Sequence, residues 1–198
     1  MPNYKWTAIA ATTAAVTNRF VASTNMIVGT YTVANASPVW GGGCNVTVTH
    51  TQVGGVTDTL GTIVIVGTDP SGSAITETLT PVSASTVTGT KIFRTVTSVT
   101  GVGWVINTGN DTIVVGAAAG AYPISGSGIL YAVVVNTTAA AAVVISDARG
   151  TIATLKSAIA ENTYYYEVEV NGYLKVSTTS TNDITIIHSP STVLYPLG

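Results

Sequence analysis

Short runs of β-branched residues, separated by turn signals, repeat along almost the whole chain. Thr, Val and Ile account for 79 of the 198 residues, whereas Leu occurs only seven times. β-Branched side chains are restricted at χ1 and pack well on the pleated surface of a sheet, but they are weak helix formers. The sequence therefore predicts an all-β fold and excludes a helical bundle or a coiled coil.

Two hairpin turns carry the same signal. Asp69-Pro70-Ser71-Gly72 separates two apolar strands, and Asp147-Ala148-Arg149-Gly150 separates two more. Asp at the first position and Gly at the fourth suit a type I turn, in which the Asp side chain bonds the backbone. The like turns hint at duplicated sheet domains, although two unrelated type I turns are the simpler explanation.

A third hairpin is predicted over residues 164–176. Asn171-Gly172 usually makes a two-residue loop. A three-residue loop with left-handed Gly172 separates apolar from charged side chains better, and places Glu167 opposite Lys175 on the outer face. The core residues predicted from this register are Tyr166, Val168, Leu174 and Val176.

Small, uncharged residues at 116–121 and 125–128 have the composition of a linker. They predict two β-sandwich or jelly-roll-like domains. Residues 1–124 would form an N-terminal β domain with an extended arm over residues 1–30. Residues 125–198 would form a C-terminal β-sandwich that ends in a short tail.

Charge is scarce, with seven basic and nine acidic side chains and a net charge of −2. A basic nucleic-acid binder is therefore not expected. No uninterrupted run reaches the ~20 apolar residues of a membrane helix, so no membrane partner is expected either. Threonines dilute the apolar stretch at residues 7–16, which we interpret as an ordered arm rather than a signal peptide. The single Cys44 predicts a packed thiol and no internal disulfide.

No group of residues indicates catalysis or metal binding. His50 and His188 end alternating strands without a further His, Cys or carboxylate at metal-ligand spacing, so both are interpreted as strand-end or surface residues. Glu167 and Glu169 share one strand face and are expected to face solvent rather than form an acid/base pair. The sequence predicts no catalytic, metal or cofactor residues, no cofactor and no enzymatic activity.

Aromatic residues near flexible segments are better candidates for a partner surface. Trp6 and Trp40 border such segments, and the C-terminal tail contains Leu194-Tyr195. Aromatic side chains are enriched at interfaces because they bury a large area. The candidate interface residues are therefore Trp6, Trp40, Leu194 and Tyr195. In a carbohydrate-binding module, Trp6, Trp40 or several of Tyr164, Tyr165 and Tyr166 would instead line a groove.

The segment from Val64 to Val115 resembles a segment of structural proteins in tailed-bacteriophage virions, including proteins attached to the capsid surface. The resemblance covers about a quarter of the chain and consists of turn and strand signals. The residues that carry it are Gly67-Thr68-Asp69-Pro70-Ser71-Gly72, Ile75-Thr76-Glu77-Thr78-Leu79, Lys91-Ile92-Phe93-Arg94-Thr95-Val96-Thr97-Ser98-Val99 and Asn110-Asp111-Thr112-Ile113-Val114-Val115-Gly116.

This resemblance implies a non-enzymatic capsid decoration (cement) protein on the virion surface, made in the host cytoplasm. The implied partners are the major capsid protein and further copies of the chain, as a dimer or trimer. The low charge is compatible with this, because a weakly hydrated surface tolerates burial in an assembly. The alternatives are a tail, fibre or head-completion component, and a carbohydrate-binding or adhesive β module.

Overall fold

The computed structural model describes residues 4–9, 15–37, 43–54, 58–106, 110–178 and 182–190. In these residues the regular structure consists of sixteen β-strands, and all sheet pairings are antiparallel. The all-β prediction is confirmed, and no helix in this part of the chain could span a membrane. The strands are β1 (Lys5–Ile9), β2 (Val16–Asn25), β3 (Thr30–Tyr31), β4 (Cys44–Thr51), β5 (Thr62–Thr68), β6 (Ala74–Leu79), β7 (Thr86–Phe93), β8 (Thr95–Val102), β9 (Thr112–Ala117), β10 (Ala121–Ser125), β11 (Gly128–Val135), β12 (Val143–Asp147), β13 (Gly150–Leu155), β14 (Asn162–Val170), β15 (Tyr173–Thr178) and β16 (Ile184–Pro190).

The chain forms two compact units. One, which we call the host domain, comprises Met1–Thr13 and Ala119–Gly198; the other, the inserted domain, comprises Ala14–Ala118. This division differs from the predicted boundary near residue 124. The Gly/Ser-rich residues 125–128 lie at the turn between β10 and β11, and the composition of a tight turn is the same as that of a linker.

The predicted N-terminal arm is also different in the structure. Within residues 1–30, β1 pairs with β16 of the host domain and β2 pairs with β9 of the inserted domain. Both strands therefore belong to sheets, and each is the edge strand of its sheet. Removing residues 1–30 would take β1 from the host domain, and β2 together with the first residue of β3 from the inserted domain.

The inserted domain has the strand order of a jelly roll. Its sheets are β2-β9-β4-β7 and β3-β8-β5-β6. Counted within the domain, the first sheet runs first, eighth, third, sixth, and the other runs second, seventh, fourth, fifth. This is the double-sheet arrangement of two Greek keys.

The host domain repeats that order. Its sheets are β1-β16-β11-β14 and β10-β15-β12-β13, which again run first, eighth, third, sixth and second, seventh, fourth, fifth. The inserted domain enters the chain between the first and second host strands, β1 and β10. The prediction of two jelly-roll-like domains is therefore confirmed.

The two Asp turns occupy equivalent places in these domains, because each joins the fourth strand to the fifth. Asp69 Oδ1 accepts hydrogen bonds from the Ser71 and Ser73 amides, at 2.8 and 2.9 Å. Asp147 Oδ1 accepts one from the Arg149 amide at 2.8 Å. The predicted side-chain capping is confirmed. The two turns, which hinted at duplicated domains, lie at the same point in the strand order of the two jelly rolls.

A buried polar residue before the eighth strand is a second equivalence. In the inserted domain Asp111 Oδ1 accepts from the amide of Val53, which follows the third strand, at 2.6 Å. In the host domain Asn182 Oδ1 accepts from the amide of Ala141, which also follows the third strand, at 3.3 Å. Both acceptors are buried. Each ties the connection after the third strand to the start of the eighth.

The host-domain core is drawn from both sheets. Its fully or nearly buried side chains come from every host strand: Ile9, Ile124, Leu130, Val133, Val135, Val143, Ile145, Leu155, Val170, Leu174, Val176, Ile184 and Ile186. Burying each Val, Leu or Ile side chain contributes roughly 1.5–3 kcal/mol. The two sheets therefore share one apolar layer.

The predicted hairpin over residues 164–176 is wrong. β14 pairs with β11 and β15 pairs with β10 and β12, so the Asn171-Gly172 connection crosses from one sheet to the other. Gly172 is left-handed as predicted, with φ of +74°. Leu174 and Val176 are buried, whereas Tyr166 and Val168 are half-buried. In either arrangement, a hairpin within one sheet or a connection between two facing sheets, alternate residues of both strands point into the core. The pattern of burial therefore could not distinguish a hairpin from a connection between sheets.

Candidate functional site

The outer face of the β1-β16-β11-β14 sheet carries a hollow of about 240 Å³. It is lined mainly by aromatic side chains, together with Ala132, Ile187 and the carboxylate-bearing Glu167. We call this the aromatic hollow; its aromatic residues are Tyr4, Trp6, Tyr131 and Tyr165. All of these residues belong to the host domain.

A break in strand register builds one side of the hollow. Leu130 pairs with Val168 and Ala132 pairs with Tyr165, so Tyr131 alone lies opposite two residues of β14. Relative to β16, in contrast, Tyr131 is the extra residue of β11. Such β-bulges twist a strand and change the direction of its side chains. Here the break lies where Tyr131 and Tyr165 reach the hollow.

Glu167 lies within the same break and has a left-handed backbone, with φ of +51°. For a residue with a Cβ this conformation costs roughly 1–2 kcal/mol, and glycine is the usual occupant. No other described residue forms a hydrogen bond or ion pair with the Glu167 carboxylate. The strained position therefore holds a carboxylate whose oxygens remain available to a ligand.

The rings of the hollow are open to solvent. Trp6 is 68% exposed and Tyr165 is 77% exposed, while Tyr4 and Tyr131 make an edge-to-face contact with centroids 4.5 Å apart. Among the described residues, the aromatic side chains in the exposed class are Tyr4, Trp6 and Tyr165. All three line this one hollow, so exposed aromatic surface is concentrated rather than scattered.

The sequence identified part of this site. Trp6 was a candidate interface residue and lies in the hollow, as does Tyr165, whereas Tyr164 and Tyr166 pack against the host-domain core. Trp40, Leu194 and Tyr195 lie outside the described residues. Tyr4 and Tyr131 were missed, because the bulge that brings Tyr131 beside Trp6 has no glycine or proline to signal it.

A second hollow, of about 250 Å³, lies in the inserted domain and is lined in part by His50, Asp58 and Asp111. His50 lies at the end of β4, as predicted, but it is 2% exposed, so it is a buried strand-end residue and not a surface one. Its Nε2 lies 3.1 Å from Asp111 Oδ2, and its Nδ1 accepts from the Ala84 amide at 3.0 Å. These bonds place the proton on Nε2 and engage both ring nitrogens, which makes the ring a structural link.

Asp111 is held as a carboxylate by this arrangement. Burial raises its pKa, but hydrogen bonding to the Val53 amide and to the side chains of Asp58 and His50 outweighs burial, and the net pKa lies below 3.8. Among the described residues no group of three His, Cys, Asp or Glu side chains could hold a metal ion.

His188 lies near the end of β16 in the host domain and is 4% exposed, so it too is a buried strand-end residue rather than a surface one, and it gives a pH-dependent prediction. Burial, and secondarily the charge of Lys5, lower its pKa from 6.5. The unfolded chain then binds a proton at a higher pH than the folded one does. The free energy of unfolding should therefore fall as pH drops below 6.5, by at most about 1.4 kcal/mol per pH unit, until the folded histidine also titrates.

Urea unfolding of the chain and of the His188→Gln variant at pH 7.5 and 5.5 tests this. The variant should lose less stability on acidification than the parent chain. The Asp carboxylates with lowered pKa titrate below this window, so they do not obscure it. Equal losses in both proteins would contradict the assignment.

The fold and the hollow together define a protein of two jelly rolls, one inserted into the sequence of the other, with an exposed aromatic face on the host domain. No protein-family model, curated protein or solved structure matches the chain.

Proposed function

We propose that the chain is a structural protein of a bacteriophage virion, in particular a decoration (cement) protein. It would bind the outer surface of the capsid through the major capsid protein and stabilise the lattice. The observation that carries the proposal is the presence of two jelly rolls of identical strand order in one charge-poor chain. Jelly rolls are a recurrent architecture of viral capsid proteins. The segment that resembles virion proteins lies within the inserted domain.

The surface supports a role in an assembly. Only 16 of 198 side chains are acidic or basic, and several large aliphatic side chains are exposed on the inserted domain. Exposed sheet edges are usually protected by Lys and other charges, and this chain has four Lys. Covering an apolar surface with few charges costs little desolvation free energy, and exposed apolar patches often mark contact sites for other proteins. The exposed aliphatic residues are Ile27, Val28, Val53, Val82, Val102 and Val105.

Binding of the full chain to capsids that lack decoration tests this proposal. The chain should sediment with undecorated capsids and saturate at hundreds of copies per particle, whereas fully decorated capsids should bind none. Saturation at about a dozen copies or fewer would favour a tail, fibre or head-completion component. Absence of binding by a folded, full-length protein would exclude the decoration role. Sedimentation of the free protein would separately show whether it is a dimer or trimer.

Carbohydrate binding is a second candidate function, favoured by the aromatic hollow. Jelly rolls are also the architecture of lectins, and a groove lined by Trp6 and Tyr165 is the feature expected of such a module. The two functions are compatible, since one domain could attach to a capsid while the other presents a ligand site.

A further inference from the structure

We infer that the aromatic hollow binds a neutral sugar ring, which stacks on the aromatic side chains and donates hydroxyl hydrogen bonds to Glu167. The inference rests on the second proposed function, carbohydrate binding, and does not depend on the capsid role. It assigns the site to named residues of the host domain and the ligand to one chemical class.

The apolar half of the argument is the open aromatic surface. A pyranose has a face of C–H groups that packs flat against aromatic rings, with its hydroxyls directed outward. Trp6 and Tyr165, at 68% and 77% exposure, leave their rings accessible to such a ligand. Ligand sites are typically aromatic-lined and contain a small number of placed polar groups. The hollow, at about 240 Å³, is large enough for one sugar ring.

The polar half of the argument is Glu167. Its two carboxylate oxygens provide about four acceptor positions, which suits neighbouring hydroxyls of one sugar. Hydrogen bonds to a charged acceptor are stronger than neutral ones. A left-handed position that glycine would occupy without strain instead holds this carboxylate. Backbone strain of this kind is concentrated at ligand sites.

An organic cation is the competing ligand, because ring faces and a carboxylate both attract positive charge. The rings here are open rather than enclosing, and Glu167 is exposed, so attraction to a cation would be weak and screened by salt. Stacking and hydroxyl hydrogen bonds have little salt dependence. This difference makes the two ligand classes separable in one experiment.

The experiment has two stages. The full chain is first applied to an array of immobilised mono- and oligosaccharides, and the best methyl glycoside is then titrated at 0.05 and 0.5 M NaCl, with choline as the cationic probe. We expect saturable glycoside binding that changes less than twofold with salt. Trp6→Ala and Tyr165→Ala should each weaken it at least tenfold, while Val82→Ala, an exposed residue of the inserted domain, should leave it unchanged.

Two variants of Glu167 separate binding from folding. Glu167→Gly should raise the unfolding midpoint, since it relieves the left-handed strain, and should still weaken glycoside binding at least tenfold. Glu167→Gln should retain more binding than Glu167→Gly does, because the amide still offers an acceptor. Unchanged binding in both variants would overturn the role of the carboxylate.

The remaining outcomes also decide the inference. Choline binding that is lost in 0.5 M NaCl, with no glycoside bound, would overturn it in favour of a cation site. Glycoside binding that survives Trp6→Ala and Tyr165→Ala would leave a carbohydrate role but overturn this site. If no sugar binds, and Trp6→Ala abolishes capsid binding instead, the hollow is a protein interface and the capsid proposal stands alone.

Discussion

Residues 14–118, produced without the rest of the chain, should fold into a stable jelly roll with one cooperative unfolding transition. The segment contains all eight strands described for the inserted domain, and within the described residues no strand of either of its sheets comes from outside it. Its first and last strands are neighbours, with Val16 paired to Ala117, so its two ends leave the domain close together. A length near 100 residues is typical of autonomous domains.

Circular dichroism and calorimetry of this fragment measure the expectation. A fragment covering residues 31–124, which follows the arm and boundary that composition indicated, is the matched control. It lacks β2, so β9 would lose one of its two neighbours and expose the backbone donors and acceptors of that edge. The control should therefore be unfolded or aggregated. Equal stability of both fragments, or an unfolded 14–118 fragment, would contradict the domain assignment.

Local features of this fold can be predicted from the sequence because they depend on residues that are neighbours in the chain. β-Branched alternation identified the strands, and the Asp69 and Asp147 turns were recognised from four residues each. Which strands share a sheet depends on contacts between distant residues instead. The connection at Asn171-Gly172 shows the difference: its glycine was predicted to be left-handed, but whether it joins two strands of one sheet or crosses between sheets leaves no local mark.

Only some residues of the aromatic hollow could be predicted, because the hollow also depends on strand pairing between residues that are distant in the chain. Trp6 lies on an edge strand and was predicted to be an interface residue because it is aromatic and borders a flexible segment, whereas Tyr131 reaches the hollow only because the register of β11 shifts. His50 and Asp111 are 61 residues apart and meet because the third and eighth strands of the jelly roll are adjacent. The strand order had to be known before this pair could be seen.

Asp111→Ala should be among the most destabilising single substitutions in the inserted domain. The substitution removes the acceptor of the Val53 amide and of His50 Nε2–H, and both donors are then left without this partner at a position that is 0% exposed. The buried His50 donor without an acceptor costs about 1–3 kcal/mol, whereas Val53 is exposed and its amide can bond water, so losing that bond costs about 0.5–1.5 kcal/mol; we expect a total loss of about 2–4 kcal/mol. That is a large part of the 5–15 kcal/mol that typically stabilises a domain.

Asp111→Asn distinguishes a requirement for the charged carboxylate from a requirement for shape. Asparagine is the residue at the equivalent position of the host domain, where Asn182 Oδ1 accepts from Ala141 and its amide nitrogen donates to Thr178. In the inserted domain the new amide would direct a donor at His50 Nε2–H, because His50 Nδ1 already accepts from Ala84. Two facing donors repel, so Asn should recover only the Val53 bond and remain well below the parent chain in stability.

Urea unfolding of both variants measures these losses, with Asp183→Ala as the control. Asp183 is exposed and its hydrogen bond to Asn136 is on the surface, so its loss should cost no more than about 0.5 kcal/mol. A loss of that size for Asp111→Ala would mean that water replaces the carboxylate in the hollow beside His50. Full stability of Asp111→Asn would mean that the His50 ring had reversed its hydrogen bonds and released Ala84. Either result would show that the link between the third and eighth strands does not depend on the charge of Asp111.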